Sequence, residues 1–198
     1  MTDFNVGIAQ PLAVAARPLP AISWSAILAG AVVAVAASLL LSLAAAGLGF
    51  DVGSPGLATR GSLKAFAPEV GAGAILIQVL SAALGGYIAG RTRTIWTTLH
   101  DDESHFRDTA HGLIVWAVAT VAGVLLAALV LAPYADAMSA AAAQAAPPSP
   151  ADAQRAASIA SQASLFIAIG MLLSAFVSAI AARIGGMRHE EMHAKPRV

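Results

Sequence analysis

The chain has 198 residues, 58% of them hydrophobic and only 11% charged, with a formal net charge of zero and a mean hydropathy of +0.76. Soluble globular proteins carry about 25% charged residues, so the composition points away from a soluble fold, and it offers no basic surface for nucleic acid. The absence of cysteine removes disulfides, thiol catalysis, cysteine-ligated zinc and iron–sulfur clusters.

Residues 1–20 carry Pro11, Pro18 and Pro20 and read as a flexible N-terminal tail. No charge then occurs between Arg17 and Asp51. Three more uncharged runs follow: Val70–Gly90 with 21 residues, Gly112–Ala135 with 24 and Ala156–Ala182 with 27. A hydrocarbon core of about 30 Å needs about 20 helical residues. Four spanning helices are therefore expected, over about 22–49, 70–90, 110–135 and 156–184. The apolar residues run continuously instead of alternating, which excludes a strand barrel. The first run greatly exceeds the roughly 7–15-residue core of a signal peptide and reads as a retained anchor. The fold class is all-α, a polytopic membrane protein of two tandem helical hairpins. Residues 21–187 form the transmembrane domain and 188–198 a C-terminal tail.

Orientation follows from Lys and Arg. The N-tail, the 91–111 loop and the C-tail share one side and hold eight of them: Arg17, Arg91, Arg93, Arg107, Arg183, Arg188, Lys195 and Arg197. The other side holds three, Arg60, Lys64 and Arg155. The positive-inside rule places both termini in the cytoplasm. Trp24, Tyr87 and Trp116 then fall near the cytoplasmic boundary and Tyr134 near the opposite one, as an aromatic belt.

Of the outer connections, residues 51–69 carry Gly53, Pro55, Gly56 and Pro68 and read as an irregular loop with one short turn near Ser62–Phe66. The second is Ala-rich up to Pro147-Pro148, so the third helix should continue beyond the bilayer. Ser149, Pro150 and Asp152 form a helix start, with Ser as N-cap, Pro at the first helical position and an acid at the third. The fourth helix should run from Pro150 to about Gly185, so that helices three and four project outward. Gly30–Leu43 also aligns without gaps to Trp116–Leu129, with 7 of 14 positions identical, which suggests a duplicated hairpin.

Rows of small residues four apart mark the packing faces. The fourth helix carries Gly170, Ser174, Ser178, Ala182 and Gly186; the second carries Ala82, Gly86 and Gly90 after Ala74 and Gln78; the first includes Gly30. Such rows let helix backbones approach closely in a bilayer. They suit association with a second copy or with a membrane complex, besides the lipid itself. One neighbour cannot meet all five rungs of the fourth helix, because an i+4 row drifts around the axis.

No Asp, Glu, Lys, Arg or His lies inside the four uncharged runs, which disfavours an ion path or proton relay. The strongest polar group at mid-span is Gln78, readable as a solute contact or as interhelical glue to Ser174 or Ser178. In the loop Arg91–His111, a helix start near Asp102 would put His105, Asp108 and His111 on one broad face. Two imidazoles and a carboxylate can hold a zinc-like ion or sense pH; the alternative is a solvated helix start with Arg107 paired to Glu103. His189-Glu190-Glu191-Met192-His193 spells H-E-x-x-H, the zinc-protease pattern. It follows Gly185-Gly186, which reads as a helix stop, so a frayed tail is the better reading and no cofactor is implied.

The pieces ISWSAILAGAVVA, GGYIAGR and HFRDTAHGLIVWAVAT resemble those of small bacterial four-span inner-membrane proteins, some labelled PhnA-like. The resemblance covers the spans and the middle loop, and implies an inner-membrane protein without an assigned activity. Two functions stay open. One is a non-enzymatic structural or accessory subunit associating through small-residue faces; the other is an oligomeric channel or facilitator for a small solute or ion.

Overall fold

A computed structural model describes residues 22–48, 68–94, 101–144 and 147–194. They form α1 (Trp24–Gly47), α2 (Pro68–Thr92), α3 (Asp101–Leu131), a 3-10 turn (Ala132–Tyr134), α4 (Ala135–Ala143) and α5 (Pro150–Ala194). Among the described residues four helical segments are long and apolar enough to cross a membrane: Trp24–Gly47, Gly71–Thr92, Glu103–Ala143 and Pro150–Met192. The protein is a multi-pass, all-α membrane protein. The expected N-tail and the 51–67 loop lie outside the described residues, as do Trp96, His100 and the last four residues.

The helices take the corners of a bundle. The longest contact is between α2 and α5; α1 packs on α2 and α3, and α3 on α5. The first residue of α1, the last of α2, the first of α3 and the last turns of α5 meet at one end, here termed the charged end. Two antiparallel hairpins result.

Small residues permit this packing, because any Cβ added at the crossings would strike backbone. Gly30 of α1 and Gly85 of α2 face each other's carbonyl oxygens. Gly86 lies against the Ser178 carbonyl and Gly90 against that of Ala182, while Gly112 of α3 meets Ser178 and Ala179. Gly170, Ser174, Ser178, Ala182, Gly186, Ala82, Gly86, Gly90 and Gly30 are all buried within one chain. The α5 row is shared between two neighbours: Gly170 and Ala182 face α2, Gly186 meets both Gly90 and Asp108, and Ser178 touches α2 and α3 together. An apolar core of Ile27, Ala89 and Val115 fills the space between α1, α2 and α3.

The two hairpins do not pack in the register that the internal alignment implies. Gly30 meets Gly85 and Ala89. Trp116, aligned with Gly30, instead donates its indole N–H to Ser174 at 3.0 Å, and, since the small-residue row of α5 lies 96 residues beyond that of α2 rung for rung, the residue aligned with Ser174 is Gln78. Indole burial against α5 also gives Trp116 an interior partner beyond the boundary role expected for it.

Two helix ends differ from expectation. At Pro133 the missing N–H removes an i→i−4 bond, and the third helix passes through the 3-10 turn before resuming as α4. The fourth helix does not stop at Gly185-Gly186 but runs to Ala194, 45 residues in all, or about 67 Å at 1.5 Å per residue. Both glycines are buried, Gly185 against the Tyr87 carbonyl and Gly186 against the Asp108 carboxylate. Tertiary contact holds them helical against a propensity cost of about 1 kcal/mol each. The start of α5 is as its sequence indicates: Ser149 Oγ accepts the Asp152 N–H at 3.2 Å and donates to Asp152 Oδ2 at 2.7 Å.

Candidate functional site

The charged end is closed by one buried cation. Arg93 follows the last turn of α2 and is 2% exposed. Its Nη2 donates to Asp108 Oδ2 at 2.9 Å and to Glu190 Oε1 at 2.7 Å. Its Nε pairs with Asp108 Oδ1, and Nη1 donates to the Thr94 carbonyl at 3.2 Å. Burial alone would lower the Arg93 pKa, but the hydrogen bonds to Asp108 and Glu190 outweigh it and move it upward, so the guanidinium stays charged. Asp108 lies on α3 and is fully buried, with Gly186 leaving room for its carboxylate. One side chain thereby joins the ends of α2, α3 and α5.

His111, one turn after Asp108, ties in α1. Its Nε2 accepts the backbone N–H of Ser23 at 2.9 Å, and its Nδ1 lies 2.7 Å from the Arg107 carbonyl. An amide can only donate and a carbonyl can only accept, so the ring is the neutral Nδ1–H tautomer. Ser23 makes no side-chain cap on α1; its own N–H is satisfied across the bundle instead.

His105, Asp108 and His111 share a helix face but do not converge on a common point. His105 is half-buried, both His111 nitrogens are engaged, and Asp108 is committed to Arg93. Among the described residues no group of three or more His, Asp or Glu side chains is placed to hold a metal ion. Arg107 pairs with Glu103 at 2.7 Å, the solvated alternative. The H-E-x-x-H segment is helical and not frayed. Its Glu190 belongs to the Arg93 cluster, while the side chain of His193 lies outside the described residues. Arg93 and Glu190 were legible only as opposite charges flanking apolar spans.

Above the charged end, toward the middle of the bundle, α1, α2 and α3 enclose a cleft of about 320 Å³ lined by Ala34, Ser38, Gln78, Ser81, Trp116 and Thr120, with Ala, Val and Gly filling the rest. Gln78 does not reach Ser174 or Ser178. Those hydroxyls are used elsewhere, Ser174 by Trp116 and the Met171 carbonyl, Ser178 by the Gly112 carbonyl at 2.7 Å. Gln78 Oε1 packs instead against Gly170. No family model, no curated protein and no solved structure matches this chain.

Proposed function

We propose that the chain is a non-enzymatic, self-associating protein of the bacterial inner membrane, a structural or accessory subunit with both termini in the cytoplasm. The Lys/Arg asymmetry supports that orientation, with the charged end inside. The small-residue rows are consumed within one chain, so association needs another surface. The outer arm supplies it, and one observation carries the reading: from Val124 to Gln144 every residue is exposed, although the first turns of the same helix are packed. The nine-residue α4 is too short to be stable alone in water, and it makes no extended contact with α5.

A second copy is the occupant that fits. Asp136 on α4 and Arg155 on α5 are both exposed and opposite in sign, one on each leg of the arm that turns at Pro147-Pro148. A two-fold pairing brings each Asp136 to the partner's Arg155. Single cysteines can be placed freely in this cysteine-free chain. Cysteine at Met138 should form a disulfide dimer on mild oxidation of dilute proteoliposomes. Asp136→Arg should weaken the dimer, and adding Arg155→Asp should restore it. A cysteine scan of Asp136, Met138, Ala140 and Ala142 that yields only monomer would overturn the proposal.

A second reading is favoured by the cleft, whose few polar groups at mid-bundle, Ser38, Gln78, Ser81 and Thr120, suit a facilitator. Stopped-flow swelling of proteoliposomes tests it. Permeability to small neutral solutes equal to that of empty liposomes would exclude it.

A further inference from the structure

The cleft between α1, α2 and α3 contains polar groups that the protein itself leaves unused. Hydroxyls in apolar helices usually bond back to their own backbone, and two that line this cleft do so. Ser38 donates to the Val35 carbonyl and Thr120 to that of Trp116, each at 2.8 Å. Ser81 does not. It is 3% exposed, and its hydroxyl has no hydrogen-bond partner. One turn earlier on the same face of α2, the Gln78 amide likewise makes no hydrogen bond among the described residues. At this depth water is scarce, and each unsatisfied polar group costs several kcal/mol. The buried Ser81 hydroxyl is such a group, and with the half-buried Gln78 amide at i−3 it defines an anchor for a molecule that is not part of the chain.

We propose that this cleft binds the polar head of a neutral amphiphile, one carrying a hydroxyl or carbonyl on an otherwise apolar body. The chemistry of the lining selects this class. Gln78 supplies two N–H donors and Ser81 a hydroxyl that donates and accepts. Among the described residues no ionisable side chain lines the cleft, so a charged ligand would enter without compensation. The remaining wall is Ala34, Val35, Ala82, Ala119, Gly123, Val124, Ala127 and the Trp116 indole, which suits an alkyl or isoprenoid chain. A volume of about 320 Å³ is at the lower end of ligand pockets. It holds a head and a few carbons and leaves a longer tail to follow the exposed outer half of α3 into lipid. The Trp116 N–H is already engaged by Ser174, so the ring forms a fixed wall rather than a third anchor.

Trp116 also reports on the site. In full-length protein with Trp24→Phe and Trp96→Phe it is the sole tryptophan. Reconstituted protein is titrated with bromo-octanol, whose bromine quenches indole fluorescence, and in parallel with bromo-octane, which lacks the hydroxyl. Saturable quenching by bromo-octanol and only linear quenching by bromo-octane is expected. Ser81→Ala with Gln78→Leu should weaken the saturable phase at least tenfold, as expected for the loss of two hydrogen bonds at about 1 kcal/mol each. Both changes keep a residue of similar or smaller size in a cleft, and Ser81→Ala alone provides a second variant should the pair fail to insert. Linear quenching by both probes, or saturation unaffected by the variants, overturns the proposal. So does efficient quenching by aqueous iodide, which would make the cleft a water-filled vestibule. None of these readouts depends on self-association of the chain.

Discussion

Substituting Gly30 with alanine tests whether the close crossing of α1 and α2 holds the first helix in place. A methyl there would lie 2.5 Å from the Gly85 carbonyl oxygen, 3.0 Å from Ala89 Cβ and 3.2 Å from a Val115 methyl. Ordinary contact begins near 3.4 Å, so the crossing must open by about 0.9 Å. The obstacle is helix backbone, which cannot swing aside. A gap of about 0.5–1 Å forfeits a quarter to a half of the dispersion energy across a contact, and overpacking costs about 1–3 kcal/mol. Alanine returns up to about 1 kcal/mol through helix propensity, leaving a net loss of up to about 2 kcal/mol. Gly73 provides the control, since nothing lies within 4 Å of a methyl added there; Gly73→Ala should be neutral or slightly stabilising. Gly85→Ala strikes the same crossing, at 2.6 Å from the Gly30 carbonyl oxygen. The double variant should therefore lose less than the sum of the singles. Equilibrium unfolding in mixed detergent and SDS micelles, followed by circular dichroism, measures all four. Equal shifts of the same sign for Gly30→Ala and Gly73→Ala would refute the argument.

Arg93→Met should cost about 3–5 kcal/mol by stranding the buried Asp108 carboxylate, and adding Asp108→Leu should recover most of it in the same unfolding assay. His111→Leu removes the acceptor of the Ser23 N–H, with an expected loss of about 1–3 kcal/mol and faster hydrogen exchange in the first turn of α1. Ser178→Leu both deletes the bond to the Gly112 carbonyl and forces a branched side chain against Gly86; a loss of at least about 1–3 kcal/mol is expected, and unchanged thermal stability in detergent would show that the α5 row is mere composition. Cysteines at Ser62 and Ser149 should react with an impermeant thiol reagent in intact cells while one at Thr98 should not, and the reverse pattern would invert the proposed orientation.

The spans were legible because about 20 uncharged residues is a strong signal whose meaning depends only on bilayer thickness. The α5 start was legible for a similar reason: Ser149, Pro150 and Asp152 act locally. What escaped the sequence depends on contacts between distant segments. Gly185-Gly186 reads as a stop by propensity, yet Tyr87 and Asp108 fill the space where side chains would have stood. Glu190 reads as part of a charged tail until the continuation of α5 carries it to Arg93. The histidine and carboxylate spacing of His105, Asp108 and His111 was visible, but spacing cannot reveal that Arg107 and Ser23 occupy the imidazole. Gln78 was singled out for its polarity; that its expected partners would bond elsewhere follows only from the register of α3 against α5.

That register also bears on where the bundle is tight, since α1 and α3 are packed toward the charged end and exposed beyond it, while α2 and α5 stay in contact as far as Gly71 and Phe166. Around the charged end each crossing has a glycine or serine at its closest point, and the ion cluster joins three helices there. In the first hairpin the row continues through Gly30 and Ala34, both against Gly85 of α2. In the second, the position aligned with Gly30 is Trp116. Its indole occupies the space between α3 and α5 that a glycine would have left for backbone, and from Val124 onward α3 has no packed face. A single bulky residue in a small-residue row thus acts as a wedge. On one side it caps the Ser174 hydroxyl; on the other it opens the cleft in which Ser81 and Gln78 remain unsatisfied. Local stability should follow the same gradient, with amide exchange slowest between Ala26 and Ala34 and at Ser178, and fastest in α4. The cleft lies beside Trp116, and the exposed arm begins two turns beyond it.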